Sequence, residues 1–184
     1  MSITTRTGDN GTTYCSLLRQ RVYKDHPAIE FQGSLDTAIS ALGLARALLP
    51  KEASEVARDL VLIQNILFAL GSSVTKGVPA PEKAVAVLEE MVSKYYNEPL
   101  RYFILPSGGP EAAIHLARAL VREAERRLVT LLRLGVRGID ESHIRVLNRA
   151  SDSLFAIAVY VARRYGEGLR KAEVSWGFLE GNTS

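Results

Sequence analysis

Residues 56–74, Val-Ala-Arg-Asp-Leu-Val-Leu-Ile-Gln-Asn-Ile-Leu-Phe-Ala-Leu-Gly-Ser-Ser-Val, decide the fold. Val56, Leu60, Ile63, Leu67, Leu70 and Val74 alternate steps of four and three. That spacing keeps a single apolar seam turned toward a neighbouring helix, as in a bundle or coiled coil. Upstream, Phe31, Leu35, Ile39, Leu42 and Leu49 recur near helical spacing, and Pro50 helps to stop that run. Downstream, Gly77-Val-Pro79-Ala-Pro81 reads as a turn, with Pro81 suited to a first helical position. Val85, Leu88, Val92 and Tyr95 mark a third helix that ends near Asn97 and Pro99. Ala113, Leu116, Ala117, Leu120, Ala124, Leu128 and Leu131 form the stripe of a fourth helix, from about Glu111 to Leu134, which Gly135 and Gly138 break. Asp140 is a candidate N-cap for a fifth helix reaching about Tyr165, with Ile144, Leu147, Leu154, Ala158 and Val161 inward.

The β-branched and aromatic run Arg101-Tyr-Phe-Ile-Leu105 leads into Pro106-Ser-Gly-Gly-Pro110. It reads as an extended connector and a tight turn, because no partner strand is apparent. Residues 1–27 read as a polar loop or short extended arm. Residues 28–165 read as the bundle, and residues 166–184 as a tail that frays or packs on a neighbour. The expectation is one all-α domain over residues 1–184, a five-helix bundle.

Composition narrows the function classes. A chain of 184 residues can bury one sizeable core. A net charge of +3 is too small to argue for nucleic acid by itself. The single Cys15 excludes an intrachain disulfide and a cysteine-based metal cluster, which fits a reducing compartment. No apolar signal region opens the chain, and no run of about 18 apolar residues argues for a membrane span. The expected setting is the cytoplasm.

Two distant segments carry chemistry. Thr5-Arg-Thr-Gly-Asp-Asn-Gly-Thr-Thr13 combines flexible backbone points, four hydroxyls and a permanent cation. Such a loop either cradles phosphate oxygens with its N–H groups or is an ordinary arm of turn residues. Lys24 either meets the same phosphates or is solvated. On the fourth helix His115, Arg118, Arg122, Glu125 and Arg126 lie along one face. Three arginines in line repel one another unless an anion sits there; the bland alternative is a solvated face with pairs to Glu123 and Glu125. Asn148 lies beside the seam residue Leu147 and needs a partner, either a ligand or a neighbouring helix. Asp36, close to the apolar stripe, either pairs with a cation such as Arg118, within one subunit or across two, or is exposed. Phe103 is either a core plug or a lid side chain pressed on a flat ligand.

In this order, TRTGDNGTT (5–13), KDHP (24–27), GSLDTAISALGLA (33–45), FILPSGG (103–109), RALVREAERR (118–127) and LNRASDSLF (147–155) resemble the PduO-type ATP:cob(I)alamin adenosyltransferases. The resemblance runs from Thr5 to about Arg163. It implies a ferritin-like five-helix bundle forming a homotrimer with active sites between subunits. It implies ATP with Mg²⁺ and a reduced cobalamin as substrates, and adenosylcobalamin and triphosphate as products. The cobalt supplies the nucleophile, in keeping with the absence of any triad spacing here. By the same resemblance Thr5, Arg6, Thr7 and Gly8 would wrap the phosphates, with Thr13, Tyr14 and Lys24 beside them. Arg122, Glu125, Arg126 and Asn148 would hold the nucleotide. Asp36 and Arg118 would pair to support the subunit interface, and Phe103 would displace the lower axial ligand of cob(II)alamin. No resident metal site is expected. A cobalamin reductase or an adenosylcobalamin-dependent enzyme are the further partners, with no nucleic acid and no membrane.

Three departures from the family pattern stand out. Thr37 and Ile39 replace a usual Glu and Asn, Glu123 replaces an Arg, and the loop between Gly109 and Arg118 is about one residue short. The changes at Glu123, Thr37 and Ile39 motivate an alternative reading, an ATP- or cobalamin-binding carrier or sensor with weakened transferase activity.

Overall fold

The computed structural model describes residues 3–176. Five helices dominate it: α1 Pro27–Leu48, α2 Ser54–Lys76, α3 Glu82–Tyr95, α4 Gly109–Arg133 and α5 Glu141–Tyr165. The six seam residues of α2 are all buried. Its end is set by Gly77, which adopts a left-handed φ of 66° and returns its N–H to the last turn. His26 caps α1, its Nδ1 accepting from the Ala28 N–H, while Pro27 opens the helix. Asp140 caps α5 by accepting the Ser142 N–H at 2.8 Å.

Helix α4 is central, packed on α1 along one side and on α5 along the other, and α5 also holds α3. The stripe expected on α4 is shifted. Leu116 is exposed and Leu120 half-buried, while Ile114 and Val121 take inward places. At about 100° per residue the buried apolar side chains of α4 fill one arc of about 100° from Ala113 to Ile114, and Leu116 falls about 60° outside it. Apolar character alone did not fix which edge of the stripe faces inward.

Two short ribbons correct the reading of the non-helical segments. Residues 12–23 are not a plain loop: β1 (Thr12–Cys15) pairs antiparallel with β2 (Gln20–Tyr23). Residues 101–105 do have a partner, since β3 (Ile104–Leu105) pairs with β4 (Arg170–Lys171), and the Ala172 N–H donates to the Phe103 carbonyl at 2.8 Å. The partner comes from the tail, more than sixty residues on, so local pattern could not find it. The rest of the expected tail, 177–184, lies outside the described residues.

Among the described residues one helix, 51–76, is long and apolar enough by composition to cross a membrane. Its seam is spent on the bundle core. Its other face leaves Phe68 72% and Leu62 42% exposed in the single chain.

Candidate active site

The N-terminal arm is a pinned structure. Arg21, on β2, donates from Nη2 to the Thr7 carbonyl and to Thr12 Oγ1 (2.7 Å). Asn10 Oδ1 accepts from the Thr12 N–H (3.2 Å) and hydroxyl (2.8 Å), and the Lys24 N–H reaches the Gly11 carbonyl at 2.9 Å. Arg6 holds a left-handed φ of 57°, uncommon for a side-chain-bearing residue. A Cβ at Gly8 would sit 3.1 Å from the Thr12 carbonyl oxygen and 3.3 Å from Lys24 Nζ, so the chain passes Lys24 as closely as only glycine comfortably allows. Thr5 and Thr7 share a hydroxyl contact of 3.0 Å. Thr13 is half-buried on β1 and Tyr14 exposed. Arg21 organises this arm, yet nothing in the local pattern of Gln20–Tyr23 announces it.

The second half of the site is a cleft of about 490 Å³ between α3, α4 and α5. Arg118 and Arg122 line it from α4, Tyr96 from the end of α3, and Arg149, Asp152 and Phe155 from α5. The Arg118 guanidinium lies 5.9 Å from the Phe155 ring centroid, within cation–π range. Its Nε is buried with no hydrogen-bond partner in the single chain. Burial, and then the neighbouring Arg122, hold the Arg118 pKa below its ordinary value. Among the described residues Arg118, Arg122 and Arg126 make no ion pair, whereas Arg149 on the opposite wall is neutralised by Glu89 (2.8 Å) and Asp152 (3.3 Å). The pairing expected in the bland reading is therefore missing for the three arginines in line, although Arg122 and Arg126 are solvent-exposed as that reading expects and only Arg118 is half-buried. The reading holds for Glu123 and Arg127, which pair with each other at 3.6 Å, Arg127 also reaching Glu30 on α1 at 3.3 Å.

Asn148 is satisfied within the chain. Its Nδ2 donates to Glu125 Oε1 at 3.3 Å, and its Oδ1 accepts from Arg149 Nη1 at 2.7 Å. Glu125 and Asn148 thus form a polar bridge between α4 and α5 at the level of Arg122.

The two halves do not meet in one chain. Lys24 lines a cavity on the α1 side of α4 with Glu30, Thr37 and Glu123, whereas Arg118 and Arg122 face α3 and α5. Asp36 likewise makes no pair with Arg118. It is exposed on α1, in a groove with Phe68, Gly71 and Lys76 of α2. Phe103 is 77% exposed, so it is no core plug.

A nucleotide-sized cleft edged by unpaired arginines, with Lys24 and the glycine-rich arm beside a different cavity, defines the class: a helical-bundle protein with an arginine-walled cleft. The sequence profile described as Cobalamin adenosyltransferase matches residues 3–161. Over 178 residues the chain is 36% identical to a corrinoid adenosyltransferase of Bacillus subtilis, spanning 91% of this chain and 90% of that protein. It is also 36% identical to the corrinoid adenosyltransferase MMAB of Mus musculus, spanning 89% and 74%. A phenylalanine-to-histidine variant of the PduO-type ATP:corrinoid adenosyltransferase from Lactobacillus reuteri, complexed with cobalamin and ATP, matches with a TM-score of 0.82 at 28% identity, covering 95% of this chain and 98% of that one. The chain belongs to the cobalamin adenosyltransferase family.

Proposed function

We propose that the chain transfers the 5′-deoxyadenosyl group of ATP to cob(I)alamin, giving adenosylcobalamin and triphosphate. The observation that carries this reading is the cleft wall formed by Arg118 and Arg122, neither ion-paired among the described residues, with the Arg118 Nε buried and orphaned. Burying an unpaired cation such as Arg118 is costly, and a polyanionic ligand or partner removes the cost. Cobalt(I) attacks the ribose 5′-carbon, a cobalt–carbon bond forms, and the carbon–oxygen bond to triphosphate breaks. Negative charge grows on the leaving oxygen. Fixed cations there stabilise the transition state more than the ground state. Mg²⁺ enters as a companion of ATP, ligated by phosphate oxygens and water.

In this reading Thr5, Arg6, Thr7 and Gly8, flanked by Thr13, Tyr14 and Lys24, wrap the triphosphate, and Arg122, Glu125, Arg126 and Asn148 hold the nucleotide. The two sets lie on different faces, so one subunit supplies the arm and its neighbour the α4 arginines, in a homotrimer. The pair between Asp36 and Arg118 then forms across the interface, beside the exposed Phe68. Phe103 displaces the lower axial ligand of cob(II)alamin, which lowers the cobalt orbital that accepts the electron. A cytoplasmic setting, with a reductase upstream and an adenosylcobalamin-dependent enzyme downstream, goes with this chemistry.

The test mixes the protein anaerobically with MgATP and chemically reduced cob(I)alamin and follows the absorbance change of cobalt–carbon bond formation, with triphosphate release in parallel. Product is expected. In Arg122→Ala, ATP affinity should fall about 10- to 100-fold, the worth of one charged hydrogen-bonding group, with the fold intact. ATP bound without any product would favour the carrier or sensor.

A further inference from the structure

Glu111 is buried, at 4% exposure, in the first turn of α4. One oxygen, Oε1, accepts three hydrogen bonds from the loop that follows Phe103: from the Ser107 N–H (2.5 Å), the Ser107 hydroxyl (3.0 Å) and the Gly108 N–H (2.8 Å). A buried carboxylate is tolerated when its lone pairs are met in this way. The other oxygen, Oε2, lies 3.9 Å from Nε2 of His115, one turn along and also buried at 5%. His115 stacks edge-on against Phe155 at 5.9 Å, and Phe155 carries Arg118 on its face. A continuous set of contacts thus joins the loop to the wall of the cleft.

The segment between Phe103 and α4 is tied at both ends. Ile104 and Leu105 are held by β4, and Ser107 and Gly108 by Glu111. Only Pro106 lies between the two ties, and its ring restricts the backbone further. Phe103 itself stays exposed, so core packing does not set its position. Its placement comes from the anchors.

We infer that Glu111 is a positioning residue for the corrinoid side of the site: its carboxylate fixes the Ser107–Gly108 hinge and so the place at which the strand presents Phe103. The inference rests on the proposed role of Phe103. It concerns a residue that touches neither substrate.

Four variants of the full chain test it: Glu111→Ala, Glu111→Asp, Glu111→Gln and Phe103→Ala. Each is titrated with ATP, then with cob(II)alamin in the presence of ATP, and electron paramagnetic resonance reads the fraction of cobalt that has lost its lower axial ligand. In Glu111→Ala that fraction should fall about tenfold or more, as ångström-scale misplacement of a reacting group does, while the ATP dissociation constant stays within about twofold. Glu111→Asp keeps the charge but is one methylene too short to reach the hinge, so it should show the same split; it serves if the alanine variant does not fold. Glu111→Gln keeps an acceptor oxygen in place and should restore most of the signal. A folded Glu111→Ala or Glu111→Asp with an undiminished ligand-loss signal would overturn the inference and leave Glu111 as a helix cap. An undiminished signal in Phe103→Ala would overturn the role of Phe103 instead, so the two failures are distinguishable.

Discussion

Reversing the charge of Arg118 or Asp36 should break the assembly without unfolding the chain. Within one chain the two side chains line different grooves, Arg118 between α3, α4 and α5, Asp36 between α1 and α2. Any energy they share is therefore energy between chains. Arg118 is half-buried, its Nε has no partner, and Arg122 adds repulsion. Breaking a desolvated charge pair at an interface costs about 2–4 kcal/mol, or about 30- to 1,000-fold in the dissociation constant of each contact. Asp36→Arg and Arg118→Glu should each weaken the proposed trimer by about 30- to 1,000-fold per contact relative to the parent chain. The double variant should restore much of the association. Sedimentation velocity across protein concentrations reads this directly. Asp36 is exposed, so Asp36→Arg should leave chain stability within about 0.5 kcal/mol. If both single variants associate like the parent, or the double variant is no better than either, the cross-subunit pair does not exist.

Two further outcomes concern the bundle itself. Gly138 holds φ +88°, and a Cβ there would meet Gly77 Cα at 2.6 Å, so Gly138→Ala should destabilise by about 2–4 kcal/mol in urea unfolding, from backbone strain plus overpacking. The His115 pKa is held below its ordinary value by burial, then by Arg118, with Glu111 opposing. The unfolded chain binds that proton first as pH falls, so this contribution is present above about pH 6.5 and is lost on acidification below it, at no more than about 1.4 kcal/mol per pH unit. His115→Gln should flatten the dependence of unfolding free energy between pH 7 and 5, and an unchanged slope would count against the burial account.

The parts of the fold that repeat along the chain were legible in it. The seam of α2 and the cap at Asp140 depend on residues a few positions apart, and both stand as expected. What the pattern missed depends on distant partners. The mate of Ile104–Leu105 is Arg170–Lys171, and the residue that folds the arm is Arg21, whose partners Thr7 and Thr12 lie on another segment. Glu111 escaped notice for a different reason. An acid in the first turn of a helix is so ordinary that only its burial, and the three donors converging on one oxygen, set it apart. The α4 arginines were visible as a row because 3.6-residue periodicity is local. That Arg118 and Arg122 face a cleft, while Lys24 beside the glycine-rich arm lines a different cavity, is a property of the packing of α1 and α5 on opposite sides of α4.

The same helical geometry bears on the departures at Glu123, Thr37 and Ile39. Read along the sequence, Glu123 adjoins Arg122 and reverses a charge in the nucleotide segment. Read around the helix, it lies five residues from Arg118, about 140° away at 100° per residue. The structure agrees: Glu123 pairs with Arg127 and lines the α1-side cavity with Lys24, not the arginine cleft. Of the three arginines only Arg126, three residues on and about 60° round the helix, is its neighbour; Arg122 and Arg118 lie about 100° and 140° away. Its carboxylate shares the α1-side cavity with Lys24. Thr37 returns its hydroxyl to the Gly33 carbonyl at 2.8 Å, so it brings no unmet polar group to that cavity. Ile39 lines the groove of Asp36 and Phe68, where an apolar side chain suits the largely apolar surroundings of Leu35 and Phe68. The substitutions therefore fall on the α1 side of the bundle, beside Lys24 and Asp36, rather than in the cleft of Arg118 and Arg122, so any effect on transfer should act through the arm and not through the cleft.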